Sequence, residues 1–177
     1  NLRHVPDALA AAEDAMLLKR AMKGIARRRG QVASFMAKPI PGNSGSGLHV
    51  HLSLLDRKGR NVFGGKDGDA LLGHAIGGLK ALMPQSMLLL APNANSFRRF
   101  QAGYFVPMEP SWVENERGVA IRLPVAGEAD RRFEHRVAGA DACPYLVVAG
   151  VLAGLHHGLA NKLDPGPMSR EIAPVAA

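Results

Sequence analysis

The sequence predicts an α+β fold, with an antiparallel sheet bearing a polar, site-forming face and helices packed behind it. Three observations lead there. Several short stretches, notably 48–54, 118–124 and 132–137, alternate polar and apolar residues with the two-residue period of a half-buried strand. Longer stretches near both ends and in the middle carry apolar residues at helical spacing. The 177 residues, 47% hydrophobic and 21% charged, suffice for one domain with one sizeable core.

Taken in order, Pro6 and Asp7 open a first helix, where Asp suits the positive end of the dipole. Leu9, Ala12, Met16, Leu18, Met22 and Ile25 mark its apolar spacing, Arg27–Arg29 suit its C-terminal end, and Gly30 is its C′ residue. Gln31 to Lys38 reads as a strand stopped by Pro39 and Pro41. A glycine–serine loop, 42–47, then leads into the strand Leu48–Leu54. Leu48, Val50, Leu52 and Leu54 face a core, while His49, His51 and Ser53 face the other way, ~6.6 Å from one to the next. Gly45 and Gly47 let the preceding backbone come close to a bound group.

Residues 56–61 are turn chemistry and Val62–Phe63 a short strand continuation. Two helical stretches follow, Gly68 to Leu82 and Pro84 to Leu90; His74 inside the first has a packing or surface role. Residues 91–112 form a long irregular loop of the kind that often carries function, with Asn95, Ser96, Arg98 and Arg99 on it. The strand 118–124 puts Ala120 and Arg122 on one face. In the strand 132–137, Arg132, Glu134 and Arg136 share a face. A glycine-punctuated apolar helix runs from Pro144 to about Leu163. Its adjacent His156 and His157 point about 100° apart and cannot chelate together. Residues beyond Asp164 read as a loose tail.

The lone Cys143 excludes an internal disulfide and fits a reducing compartment. The longest apolar run, Tyr145 to Leu155, falls short of the ~20 residues a membrane span needs, and no segment reads as a signal peptide. A cytoplasmic protein without a membrane partner is expected. The net charge of +7 is spread over separate arginines rather than one tail, and aromatic content of 5% offers few platforms for stacking bases. Phosphates and carboxylates of small molecules are the expected partners, not nucleic acid.

Three strand-borne sets combine: His49-x-His51-x-Ser53, Arg122, and Arg132-x-Glu134-x-Arg136. The two histidines read first as a chelating pair. Imidazole and carboxylate for a cation, beside several arginines, is the combination phosphoryl transfer requires. A surface ion-pair ladder around Glu134 explains its spacing equally well.

The motifs resemble a known family. Phe35–Pro39 followed by Gly42-Asn43-Ser44-Gly45-Ser46-Gly47-Leu48-His49-Val50-His51-Leu52-Ser53 is similar to the ATP-site signature of the glutamine synthetase family. The resemblance runs on through Asn95–Arg99, Gly103-Tyr104, Asn115-Glu116-Arg117, Ala120–Pro124, Arg132–Arg136, Cys143–Leu146 and Asn161–Leu163. It implies the fold of that family's catalytic domain, with residues 1–177 as its C-terminal part. The family's small N-terminal domain and first catalytic strands would precede Asn1-Leu2, and the 177 residues alone are expected to be inactive.

By the same resemblance, His49 and Glu134 ligate one of two divalent cations, magnesium or manganese. His51 and Ser53 contact ATP, Arg117 and Arg122 surround the phosphates as the catalytic arginines, and Ser44, Gly45, Arg99 and Arg136 bind glutamate. The implied activity phosphorylates the side-chain carboxylate of glutamate with ATP, and an amine then displaces the phosphate. A homo-oligomeric ring is implied too.

The sequence departs from the family in four places. Phe105 stands where ammonia-using members carry a Glu, pointing to a substrate amine other than ammonia, as in the γ-glutamylpolyamine branch. Ser44 replaces a usual Asn. The stretch between Pro124 and Arg132 is one residue shorter and lacks a lysine. No Tyr follows Lys162, so the adenylylation site of some bacterial members is missing. A glutamine synthetase using ammonia, and an inactive sensor of glutamate or nucleotide, stand as alternatives. A cupin-like metal barrel does not fit, since no Glu follows His51 at the spacing it needs.

Overall fold

The computed structural model describes residues 2–169. Helix α1 spans Ala8–Arg28; its N-terminus is capped by the Asp7 carboxylate, which accepts from the Ala10 amide at 2.9 Å. Gly30, with φ +69°, closes its C-terminus. Strand β1 is Val50–Leu52. A 3₁₀ turn at Val62–Gly64 leads into helix α2, Gly68–Leu90, then the short helix α3, Ala94–Phe97. Strands β2 (Trp112–Glu114), β3 (Ile121–Leu123) and β4 (Phe133–His135) follow, and helix α4, Pro144–Asn161, completes the order.

The four strands form one sheet in the order β1-β4-β3-β2. β4 runs antiparallel to both β1 and β3, as expected, whereas β2 is parallel to β3. Val50 pairs with His135, His51 with Glu134 and Leu52 with Phe133; Arg122 pairs with Glu134 from the other side. One sheet face is packed. Phe63, Phe133, Ile121, Ile76, Val147 and Val151 are its buried centre, and Leu48, Val50, Leu52 and Leu54 pack against them.

Helices α2 and α4 cover that face in backbone contact. A Cβ on Gly78 would overlap the Gly154 carbonyl oxygen and the Gly158 nitrogen. One on Gly158 would overlap the His74 carbonyl oxygen. The glycines of α4 are therefore required by close approach rather than by φ. His74 packs here too, its Nδ1 3.0 Å from the Leu163 carbonyl oxygen.

Several sequence expectations are corrected. Gln31–Lys38 is not a strand: Val32 is 94% exposed, and Ala37 and Lys38 are held by a loop amide and a side chain instead of a neighbouring strand. Val62–Phe63 is helical, because the Asn61 side chain caps the Phe63 amide at 3.1 Å. The two middle helices are one. Pro84 removes only the bond its missing N–H would make, while Leu79, Met83 and Leu90 keep one buried stripe running past it. Helix α3 lies within the residues the sequence gives as loop, and strand β2 begins at the last of them, Trp112. The apolar positions of α1 lie mostly in the open, with only Ala12 buried. The tail is tied as far as Ser169: Trp112 Nε1 donates to the Gly166 carbonyl at 3.2 Å, and the Ser169 amide to the Trp112 carbonyl at 3.0 Å. Asn1 and residues 170–177 lie outside the described residues.

Two glycine substitutions test the helix contact by unfolding in urea. Gly78→Ala forces backbone apart and is expected to destabilise by about 3 kcal/mol or more, the upper end of over-packing penalties. Gly24→Ala in α1 meets nothing within 4 Å and is expected to stabilise by about 0.5–1 kcal/mol through helix propensity. Equal effects at both sites would refute the close contact.

Candidate active site

Glu134 stands at the centre of the open sheet face. Directly cross-strand residues share a face, so pairing places His51 on one side of Glu134 and Arg122 on the other. The two-residue period along β4 adds Arg132 and Arg136, and along β1 adds His49. Residues more than eighty positions apart in the chain thus meet through strand register alone.

The carboxylate is 3% exposed. Arg136 Nη1 donates to Oε1 at 2.7 Å and Arg122 Nη1 to Oε2 at 2.9 Å. His49 Nδ1 lies 3.0 Å and His51 Nε2 3.6 Å from Oε1. His49 Nδ1 is also 3.3 Å from Arg136 Nη1, so its tautomer decides whether it donates to Glu134 or accepts from Arg136. Arg122 Nη2 reaches the Asn115 side-chain oxygen at 3.3 Å, and Arg132 Nε donates to His51 Nδ1 at 3.4 Å. Arg136 Nε donates to the Arg117 carbonyl at 3.1 Å.

These contacts set the charges. Burial by itself would raise the Glu134 pKa; the hydrogen bonds from His49 and Arg122 and the charges of Arg136 and His51 outweigh it and hold the carboxyl well below the usual range. His51 is shifted down by burial, with Arg132, His49 and Arg122 pressing the same way against Glu134, which keeps its imidazole neutral and able to accept. His135 points to the packed side of β4, where burial pushes it down to about 4, so it serves as a neutral core residue.

The glycine loop lies over Arg99, which is 3% exposed and donates to the carbonyls of Val137 at 2.8 Å and Arg136 at 3.1 Å. Burial and the neighbouring Arg136 bring its pKa down to about 10, still protonated at neutral pH. A Cβ on Gly45 would meet the Ala37 carbonyl at 2.8 Å and Arg99 Cγ at 2.9 Å. One on Gly47 would meet Arg99 Nη2 at 2.8 Å and His49 Nε2 at 3.0 Å. The space those glycines leave open is thus filled by an arginine of the chain itself.

Of the residues singled out in the sequence, His49, His51, Glu134, Arg122 and Arg136 come together directly. Arg99 sits beneath the loop rather than in its mouth. Ser44 and the Arg117 side chain are exposed and Ser53 is half-buried; among the described residues none of the three side chains bonds to the cluster. Phe105, 48% exposed at φ +54°, belongs to a separate loop. Sequence reasoning did not single out Asn115, whose side-chain oxygen accepts from Arg122 at the edge of the cluster. Asn115 carried a usable signal, an Asn three residues before Gly118 and of the type that tolerates the left-handed φ of +62° it adopts.

As a cation site, His49 and Glu134 offer an imidazole nitrogen and an ionised carboxylate, donor types that suit a divalent metal. Among the described residues no group of three or more His, Cys, Asp or Glu could hold one, so the pair fits as part of a ligand set. A cation on Oε1 would share that oxygen with Arg136. Beside the sheet, a cavity of about 280 Å³ is lined by Leu72, Glu114, Leu123, Val125, Arg131 and Arg132 among others. No described helix is long and apolar enough to cross a membrane.

Comparison with known proteins gives a consistent result. Residues 1–175 match the family model for the glutamine synthetase catalytic domain. The chain is 46% identical over 174 residues to the γ-glutamylputrescine synthetase PuuA of Escherichia coli K12, covering 97% of this chain and 36% of that protein. It is 37% identical to a glutamate–isopropylamine ligase of a Pseudomonas species, over 90% of this chain and 36% of the relative, with the same three figures for a glutamine synthetase of Thermococcus kodakarensis. A solved structure of apo GmaS without ligand superposes with a TM-score of 0.81 at 32% identity, covering 94% of this chain and 38% of that one. The chain therefore spans about a third of the length of the curated relatives it matches.

Glu134→Gln removes the negative charge that Arg122 and Arg136 share and is expected to cost about 3 kcal/mol, the lower end for breaking a buried pair. A depressed carboxyl pKa stabilises the fold fully above the ordinary carboxylate pKa and loses that stabilisation as pH falls below it. Urea titrations should therefore show a constant gap between wild type and Glu134→Gln above about pH 5 that narrows toward acid. A gap that widens toward acid would refute the charge network.

Proposed function

The chain belongs to the glutamine synthetase catalytic-domain family, and on that premise we propose that residues 1–177 are the C-terminal part of the catalytic domain of an ATP-dependent ligase. The ligase joins the γ-carboxylate of glutamate to an amine through γ-glutamyl phosphate. The observation that carries this reading is the row His51–Glu134–Arg122 with His49 and Arg136 beside it, a preformed array of donors around one anion.

In this reading His49 and Glu134 hold one magnesium or manganese ion with donors outside the described residues. The ion neutralises phosphate oxygens when bound. Arg122 and Arg117 stabilise the charge that develops on the transferred phosphoryl group. His51, neutral and held by Arg132, and Ser53 receive the nucleotide beside the cavity that Arg132 also lines. Arg136 and the Ser44–Gly45 turn take the glutamate, with Arg99 supporting that turn from below. A homo-oligomeric ring and a cytoplasmic location accompany the reading on the strength of the resemblance.

The amine is an alkylamine, and a polyamine fits best. Phe105 has neither a charge to attract ammonium nor a base to take its proton, whereas its ring can pack against an alkyl chain and face a cation. The similarity to a γ-glutamylputrescine synthetase and to a glutamate–isopropylamine ligase supports this; the similarity to a glutamine synthetase supports ammonia as the alternative. Phosphate release by the complete protein, with glutamate, ATP and each amine in turn, decides between them. Putrescine or spermidine is expected to exceed ammonia at least about tenfold in kcat/KM, within the discrimination a pocket for extra methylenes can supply. Phe105→Glu is expected to narrow that ratio. Preference for ammonia would establish a glutamine synthetase, and ATP binding without turnover on any amine a sensor.

A further inference from the structure

Lys38 is buried to 4% exposure beneath the glycine loop, in a segment without secondary structure. Its backbone is clamped from both sides by one side chain: the Lys38 amide donates to Asn95 Oδ1 at 2.9 Å, and Asn95 Nδ2 donates to the Lys38 carbonyl at 2.9 Å. Its ammonium donates to the Asn43 carbonyl and lies 3.9 Å from the centroid of the Tyr104 ring. Tyr104 in turn donates its hydroxyl to the Gly42 carbonyl at 2.6 Å. Lysine is among the residues least often buried, and a cation out of water is expensive unless its partners are well placed. Here the partners are one carbonyl and one aromatic face, supplied by two different loops.

We propose that Lys38 is a positioning residue: with Tyr104 it latches the loop carrying Ser44 and Gly45 to the loop carrying Phe105. This rests on the ligase reading above, in which the first loop takes glutamate and the second faces the amine. Both loops need such a latch. Gly42 and Gly103 turn at φ +79° and +85°, and Phe105 holds a left-handed φ of +54° that a bulky residue rarely adopts unaided. The Tyr104 ring and hydroxyl fix the residue just before it, and the Asn95 clamp fixes Lys38 on α3, the helix that leads into Arg99. Acyl donor and amine are thereby held at one separation, the arrangement on which a bimolecular transfer depends.

The test compares wild type, Lys38→Met, Lys38→Arg and Tyr104→Leu in the complete protein. Hydrogen–deuterium exchange reads the latch whether or not the protein turns over. Lys38→Met and Tyr104→Leu are expected to raise exchange about tenfold or more in both the 40–47 and 101–106 segments, with β1 and β4 unchanged and Lys38→Arg near wild type. Unchanged exchange in either loop overturns the latch. Tyr104→Leu, which leaves the Lys38 ammonium its Asn43 carbonyl partner, decides the matter if Lys38→Met does not fold. In kinetics, KM for glutamate and amine should rise about tenfold in Lys38→Met and return in Lys38→Arg, with KM for ATP unchanged. A fall in kcat alone, shared by all substrates, would mark Lys38 as merely structural. A wild type that exchanges as described yet never turns over would remove the ligase reading and leave the latch standing.

Discussion

The buried carboxylate of Glu134 is the constraint on which the open face depends. It takes a hydrogen bond from each of two guanidiniums, and both belong to the sheet, Arg122 on β3 and Arg136 just past β4. Without it, two arginines with side chains only 20% and 7% exposed would face each other uncompensated, which buried ions do not tolerate cheaply. With it, the arginines are fixed in orientation, Arg122 reaching on to the Asn115 side chain and Arg136 to the Arg117 carbonyl. One residue therefore holds the strands in register and prepares the site electrostatically.

That face can be polar only because the other is fully packed. Phe63 and Phe133 meet at 6.3 Å between centroids on the covered side, so each residue of β4 alternates between core and site. The covering is tight because α2 and α4 approach to backbone contact at Gly78 and Gly158. Small residues at a crossing bring helices closer than side chains normally permit and leave the whole helix pair stiff against the sheet. Rigidity behind the sheet is what lets His51, Glu134 and Arg122 hold their separations with little local structure of their own, each strand being three residues long.

The alternation of 48–54 and 132–137 was legible in the sequence because period two is a local property. So were the termini of α1 and α4, marked by Asp7, Gly30 and Pro144. What the sequence leaves unread is set by distant partners. Gln31–Lys38 has strand composition but no strand to pair with, since Asn95 and the Ser46 amide take its backbone groups. Trp112–Glu114 follows a proline-rich loop and shows no strand pattern in the sequence, yet it pairs with β3 in parallel. Pro84 signals a break that buried contacts on both sides override. The site shows the same division. His49, His51, Glu134 and the arginines were visible as residue types on strand faces, but that Arg99 fills the space under Gly45 and Gly47, and that Lys38 bridges two loops, follows from the fold alone.

Some strained and unsatisfied features of the described residues lie on or beside this face, others on the packed side of the sheet and in the loops. Arg122 Nε is buried without a partner among the described residues, a donor whose desolvation they leave uncompensated. Burial, and after it the charge of Arg136, lowers the Arg99 pKa, and Asn115 beside Arg122 holds a left-handed backbone. A chain selected only for stability would shed such features, each worth of order 1–3 kcal/mol. Around Glu134 the guanidinium donors are fixed in advance by the sheet, the arrangement that the charge-stabilising role proposed for this face calls for.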